Sequence, residues 1–139
     1  MKDYHALFEQ SYGRIVGDPD EHRDFLARFY ENFVGASPDV AARFSATDMI
    51  RQRRMLARSI DEIVEFSASR VASEYLRQVA RRHSRDARDV PPPLYDLWLD
   101  CLLVTAREFS PGFDDETELA WRVVMAPGIA YMQFRYDRY

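Results

Sequence analysis

The chain has 139 residues, 47% of them hydrophobic and 14% aromatic, which is enough apolar material for a buried core and excludes a disordered segment. Its 23 acidic residues outnumber 19 basic ones, and the net charge of −4 argues against a general polyanion binder, so no nucleic-acid partner is expected. One cysteine, Cys101, excludes an internal disulfide framework or a cysteine metal site; flanked by Leu99, Leu102 and Leu103, it reads as a small buried hydrophobe.

The opening MKDYHALFEQ lacks the apolar core of a secretion signal, and no apolar run approaches the ~20 residues that span a bilayer, so a cytoplasmic protein without a membrane partner is expected. Strand signals are nearly absent, whereas helix starts and stops recur. Asp18-Pro19 supplies a cap and a first-turn proline for a helix over Glu21–Val34, with Phe25, Leu26, Phe29, Tyr30 and Phe33 inward and Gly35 at its end. Ser37-Pro38 opens a short helix to about Arg43. Thr47 reads as the cap of a long helix, Asp48–Phe66, with Met49, Gln52, Leu56, Ile60, Ile63 and Val64 along one side.

A polar patch at Ser67–Ser69 separates this from a helix whose apolar stripe is Ala72, Tyr75, Leu76, Val79 and then His83. Val90-Pro91-Pro92-Pro93 stops that helix and stiffens the start of the next, Pro92–Phe109, which is apolar nearly all round and expected to lie centrally. Ser110-Pro111-Gly112 ends it. The last helix is predicted from about Asp114 to Tyr136, with Trp121, Val124, Met125, Gly128 and Met132 inward and a kink at the internal Pro127. Neither repeat nor linker interrupts the chain, so residues 1–139 read as one all-α domain of about seven helices.

Four residues break the local pattern. His83 extends an apolar stripe through a segment rich in arginine (Arg70, Arg77, Arg81, Arg82, Arg85, Arg88), which suits either a nitrogen ligand or a core histidine satisfied by neighbours. Gln52 is a polar group on an apolar side, either a donor into the interior or an edge residue in water. Tyr30 either carries a hydroxyl to an inward face or is an amphipathic boundary residue, and Phe44 is a bare ring in a loop that either covers something flat or plugs a corner. The arginine clusters Arg51–Arg58 and Arg70–Arg88 read as solvated helix faces, and His5 and His22 as solvent-exposed.

Taken in order, Tyr30, Phe44, Gln52, His83, Tyr95 and Trp121 resemble the globin superfamily, and the likeness covers nearly the whole chain. Phe29-Tyr30-Glu31-Asn32-Phe33, Ser37-Pro38-Asp39-Val40, Arg43-Phe44, Asp48–Leu56, Val79–His83, Ala120-Trp121 and Ile129-Ala130 are similar to single-domain bacterial haemoglobins and to the haem domain of flavohaemoglobins. The resemblance implies a globin fold, a three-over-three helical sandwich around haem b, with His83 as the axial iron ligand. It implies Tyr30 and Gln52 as the distal pair toward dioxygen, nitric oxide or carbon monoxide. Phe44, Leu56, Val90, Tyr95, Trp98 and Leu102 would contact the cofactor, Arg54 (or Arg53) would pair with propionates, and Asp137 would stand in for a glutamate behind the proximal histidine. The implied function is reversible dioxygen binding in a monomer or homodimer, extending to nitric oxide dioxygenation with a separate reductase, since none of the five glycines forms a GxGxxG nucleotide loop. The alternative it implies is a gas-sensing or protein-interaction module signalling through dimer contacts on its last two helices.

Overall fold

Short polar side chains decide where most helices begin. Asp3, Asp18, Ser37, Asp48, Ser73 and Asp114 each stand at an N-cap and accept from backbone N–H groups of the first turn, whereas α6 starts on Pro91 and Pro92 with no such bond. In the computed structural model, which describes residues 3–139, these caps open α1 (Tyr4–Gly17), α2 (Pro19–Ala36), α3 (Pro38–Arg43), α4 (Met49–Ser69), α5 (Glu74–Arg82), α6 (Pro92–Phe109) and α7 (Asp115–Arg135). No strand occurs among the described residues, so the chain is all-helical as expected.

Several boundaries differ from the sequence expectation. Asp48, not Thr47, caps α4, because its carboxylate accepts from the backbone N–H groups of Ile50 and Arg51 at 3.1 and 3.3 Å. The helix then runs through the polar 67–69 patch and ends where Arg70 turns left-handed (φ 60°) and donates its N–H to the Phe66 carbonyl. The Ser69 hydroxyl, at the last helical position, accepts from the Val71 N–H at 3.1 Å just beyond the helix. Helix α5 is short, and His83 is its C-cap residue. Helix α7 runs through Pro127; the proline removes one N–H without ending the helix.

The core gathers around α7. Helices α1 and α4 pack on it, α6 lies beside it, and α2 packs on α6. Trp121 is fully buried, meets the Phe8 and Tyr12 rings edge-on at 4.9 and 5.7 Å, and donates its indole N–H to Ser11 at 3.1 Å. Gly128 marks the tightest crossing: a methyl there would sit 2.8 Å from Ile63 Cγ2, so only glycine lets α4 approach so closely. Helix α6 is less central than its composition suggested, since Val104 is 53% exposed on its outer side. His5 and His22 are half-buried rather than exposed, and the Nε2 atom of each is shut from solvent without a partner among the described residues. No helix is long and apolar enough to cross a membrane.

Candidate functional site

A cavity of about 520 Å³ opens between α2, α4, α5, α6 and the C-terminal half of α7. On its α2–α4 wall lie Tyr30, Phe33, Gln52, Met55, Leu56, Ser59 and Ile63; on the α5–α6 wall lie Leu76, Val79, His83, Val90, Leu94, Tyr95 and Trp98. Phe44, Arg43, Arg82 and Arg88 also border it. The size falls within the roughly 300–1,000 Å³ common for small-molecule and cofactor sites, and the lining is mainly apolar with a few converging polar groups.

Those polar groups come in bonded pairs. On the α2–α4 wall, the Gln52 side-chain amide donates to the Tyr30 phenol oxygen at 3.0 Å. One α-helical position of each partner fixes the pair: Tyr30 shares a buried face with Phe29 and Phe33, and Gln52 stands one turn before Leu56. Accepting from Gln52 leaves the Tyr30 O–H free to donate elsewhere. Burial pushes the Tyr30 phenol up to about 12, partly offset by the Gln52 bond, so it remains a protonated donor near neutrality. The Phe44 ring meets Tyr30 edge-on at 5.4 Å and restricts where it can swing.

On the other wall, the Tyr95 hydroxyl lies 3.3 Å from Nδ1 of His83. No described group bonds Nε2, so that nitrogen remains for a ligand. Burial, reinforced by Arg88, Arg82 and Arg43, pushes the His83 imidazole down to about 4. The ring is therefore neutral near pH 7 and carries the lone pair a metal needs.

The backbone under His83 is pinned from three directions. Its N–H reaches the Val79 carbonyl, and its carbonyl accepts from Val90 at 3.0 Å. Arg43 holds the following loop by donating to the Arg88 and Asp89 carbonyls at 3.0 and 2.9 Å, while its Nε contacts Asp39. Tyr136, just past α7, donates its hydroxyl to Asp89 and accepts the Arg85 N–H on its carbonyl. Asp89 takes φ 53°, a left-handed conformation that asparagine and aspartate tolerate better than most residues.

Three expected cofactor contacts lie elsewhere. Leu102 is fully buried in the core and does not reach the cavity, because its face of α6 turns toward the interior packing. Arg54 is exposed on the outer side of α4 and does not line it, and Arg53 does not line it either. Asp137 sits in the exposed last turn, where its carboxylate pairs with Arg138 at 3.0 Å rather than with Tyr95 or His83. The guanidinium groups at the cavity are instead Arg43, Arg82 and Arg88, and nothing described pairs with Arg88. Arg43 adjoins Phe44 in the chain, a signal that could have drawn attention to it.

A further polar link was invisible in the sequence. Tyr75, which reads as part of an apolar stripe, donates to the Met55 carbonyl at 3.3 Å and lies 3.2 Å from Ser59 Oγ, under the Arg58 guanidinium at 4.2 Å. It ties the start of α5 to α4 across one side of the cavity. Ser59, one turn beyond Met55 and Leu56, was the available hint.

The cavity fits an iron porphyrin on its own chemistry: a neutral imidazole with one open nitrogen, aromatic rings from Phe44 and Trp98, and cationic groups at the border for carboxylates. No group of three or more histidine, cysteine or acidic residues that could hold a bare metal ion occurs among the described residues. A family model described as Globin matches residues 27–132. A solved structure from Pseudomonas aeruginosa PAO1, described as structurally highly homologous to a human haemoglobin, is 37% identical to this chain. The match covers 97% of this chain and 99% of that one, with a TM-score of 0.87. No curated protein matches the chain.

Proposed function

Because this chain belongs to the globin family, we propose that it is an oxygen-binding haem protein in which His83 would hold the iron and Tyr30 would donate a hydrogen bond to the gas. The observation that carries this reading is the orientation of one ring: Tyr95 engages Nδ1 of His83 and leaves Nε2 open on the cavity wall. Ferrous haem, when bound, would supply the position that binds the gas, and a nearby O–H donor favours a polarisable ligand such as dioxygen over carbon monoxide. Tyr30 then favours dioxygen, because its O–H is free while Gln52 donates to its oxygen and makes it a stronger donor. One such bond contributes about 1–3 kcal/mol, roughly a ten- to hundredfold gain in residence.

Tyr95 presents a phenol, not a carboxylate, to the Nδ1 side of His83, and Asp137 is engaged with Arg138. The histidine is accordingly a neutral imidazole donor with a weak push, a setting for holding oxygen more than for splitting it. The Tyr30/Gln52 pair also suits reaction with nitric oxide. Dioxygen, nitric oxide and one electron balance to nitrate, so turnover draws that electron from a separate reductase.

The test is the absorbance of the protein supplied with haem b. A Soret band and a five-coordinate ferrous spectrum, converting to a stable oxygenated form in air, are expected; absence of a Soret band overturns the reading. Mixing the oxygenated form with nitric oxide is expected to yield one nitrate per haem, and its absence removes the dioxygenase extension alone.

A further inference from the structure

Arg43, Arg82 and Arg88 all border the cavity, but their donors are used differently. Nothing described pairs with Arg88, and Arg82 reaches Gln78 of its own helix at 3.2 Å. Arg43 aims each of its three nitrogens at a different acceptor. Nε donates to Asp39 of its own α3 at 3.1 Å, Nη1 to the Arg88 carbonyl at 3.0 Å and Nη2 to the Asp89 carbonyl at 2.9 Å. A planar guanidinium held at three nitrogens cannot rotate or slide, so α3 and the loop after α5 are bolted together.

Each end of this bolt leads to one wall of the cavity. At the loop end, the two gripped residues bond back to the chain on either side of His83. The Arg88 N–H donates to the Arg82 carbonyl at 3.0 Å, and the Asp89 N–H to the Ser84 carbonyl at 2.9 Å. Val90, next in the chain, donates to the His83 carbonyl itself at 3.0 Å. At the α3 end, Phe44 follows Arg43 directly, and its N–H donates to the carbonyl of the buried Val40 at 3.2 Å. The Phe44 ring then meets the Tyr30 ring at 5.4 Å and the Phe33 ring at 6.2 Å.

We propose that Arg43 is a positioning residue that couples the two walls, so that the place of the His83 ring and the place of the Tyr30 phenol are set together. It hydrogen-bonds neither side chain and acts through the main chain on one side and through Phe44 on the other. Coupling of this kind is reciprocal: a disturbance of either wall is felt at the other. The consequence for gas binding rests on the haem-binding reading; the coupling itself does not. A lysine would keep the charge and lose the bolt, because an ammonium on a flexible stem does not hold three acceptors in one plane.

The first experiment uses the haem-free chain with fluorotyrosine incorporated, the Tyr30 fluorine resonance being identified by its loss in Tyr30→Phe. Tyr136→Phe removes the loop's bond from Tyr136 to Asp89, on the side away from Tyr30. It is expected to shift the Tyr30 resonance in the parent and to leave it in place once Arg43→Gln is also present. A Tyr30 resonance indifferent to Tyr136→Phe, or equally responsive with and without Arg43, overturns the proposal whether or not the chain takes up haem. Asp39→Asn, which frees one of the three nitrogens, gives the same comparison with a smaller change if Arg43→Gln does not fold. In the haem-loaded protein, Arg43→Gln is expected to speed oxygen dissociation severalfold and to lower the iron–imidazole stretching frequency. Arg43→Lys is expected to do the same, and Arg82→Gln neither. In His83→Gly supplied with free imidazole, whose ring is not attached to the loop, Arg43→Gln is expected to leave that frequency unchanged. Parent behaviour in Arg43→Lys, or an equal frequency change with free imidazole, assigns the effect to charge alone and overturns the coupling.

Discussion

The two walls of the cavity solve the placement of a polar group in different ways. On the α2–α4 wall, Tyr30 and Gln52 stand in the interiors of regular helices and bond to each other, so the pair carries its own orientation. On the α5–α6 wall, His83 stands at a helix end; Val90 of the following loop donates to its carbonyl, and Arg43 and Tyr136 from two other segments hold that loop. The first wall can be retuned by one side chain without moving the main chain. The second depends on a loop, so substitutions remote from the imidazole act on it through the backbone.

The largest effect is expected from His83→Ala, which removes the nitrogen proposed to hold the iron while leaving the loop bonds in place. Haem transfer to a scavenging apoprotein should become faster by orders of magnitude, and retention unchanged from the parent would break the assignment of the α5–α6 wall. Tyr30→Phe should speed oxygen dissociation by roughly ten- to a hundredfold with carbon monoxide release nearly unchanged, as read by flash photolysis and ligand mixing. Equal acceleration of both gases would show a steric effect instead of a lost donor.

Arg43→Ala tests the loop. Two charge-assisted bonds to the Arg88 and Asp89 carbonyls are lost, with a cost of about 1–3 kcal/mol in unfolding free energy, read as a lower urea midpoint. Faster hydrogen exchange at the Val90 amide is expected to accompany it. If exchange there is unaffected, the Tyr136 contacts and the loop's own backbone bonds suffice to hold it without Arg43.

The smallest effect concerns titration. The buried Tyr30 phenol ionises at about 12 in the folded chain, above its ordinary value of 10.0, with Gln52 holding it lower than burial alone would. An unfolded phenol gives up its proton first, so Tyr30 contributes stability that is intact below about pH 10 and is lost as pH rises toward 12. Gln52→Leu should move the Tyr30 tyrosinate absorbance, taken as the difference from Tyr30→Phe, to still higher pH; a downward shift would contradict the bond.

The same contrast explains what the sequence could reveal. Helical periodicity is local, so it put Tyr30, Gln52, Leu56 and His83 on inward faces, and the structure brings all four to one cavity. The helix order was legible because prolines and capping residues punctuate it. Arg54 misled because charge alone does not say which face of a helix meets a cavity; Arg43, beside Phe44 in the chain, was hinted at, but its lock on Asp39 and two carbonyls is visible only in the fold. Asp137 misled because chain spacing ignores competition, and Arg138 is one residue away. Tyr75 hid within an apolar stripe because an aromatic ring and its hydroxyl give opposite signals. Leu102 failed for a simpler reason: α6 has two apolar sides, and only one faces the cavity.

The crossing at Gly128 reaches further than core packing. Ile63 rests where a side chain would otherwise begin, and four residues earlier on α4 stands Ser59, then Leu56 and Gln52 at successive turns. An added carbon at position 128 would press on the Ile63 side chain from 2.8 Å and push α4, with the cavity residues it carries, away from α7. One wall of the cavity thus depends on an atom left out of α7 right beside it, next to the lining residue Ile129.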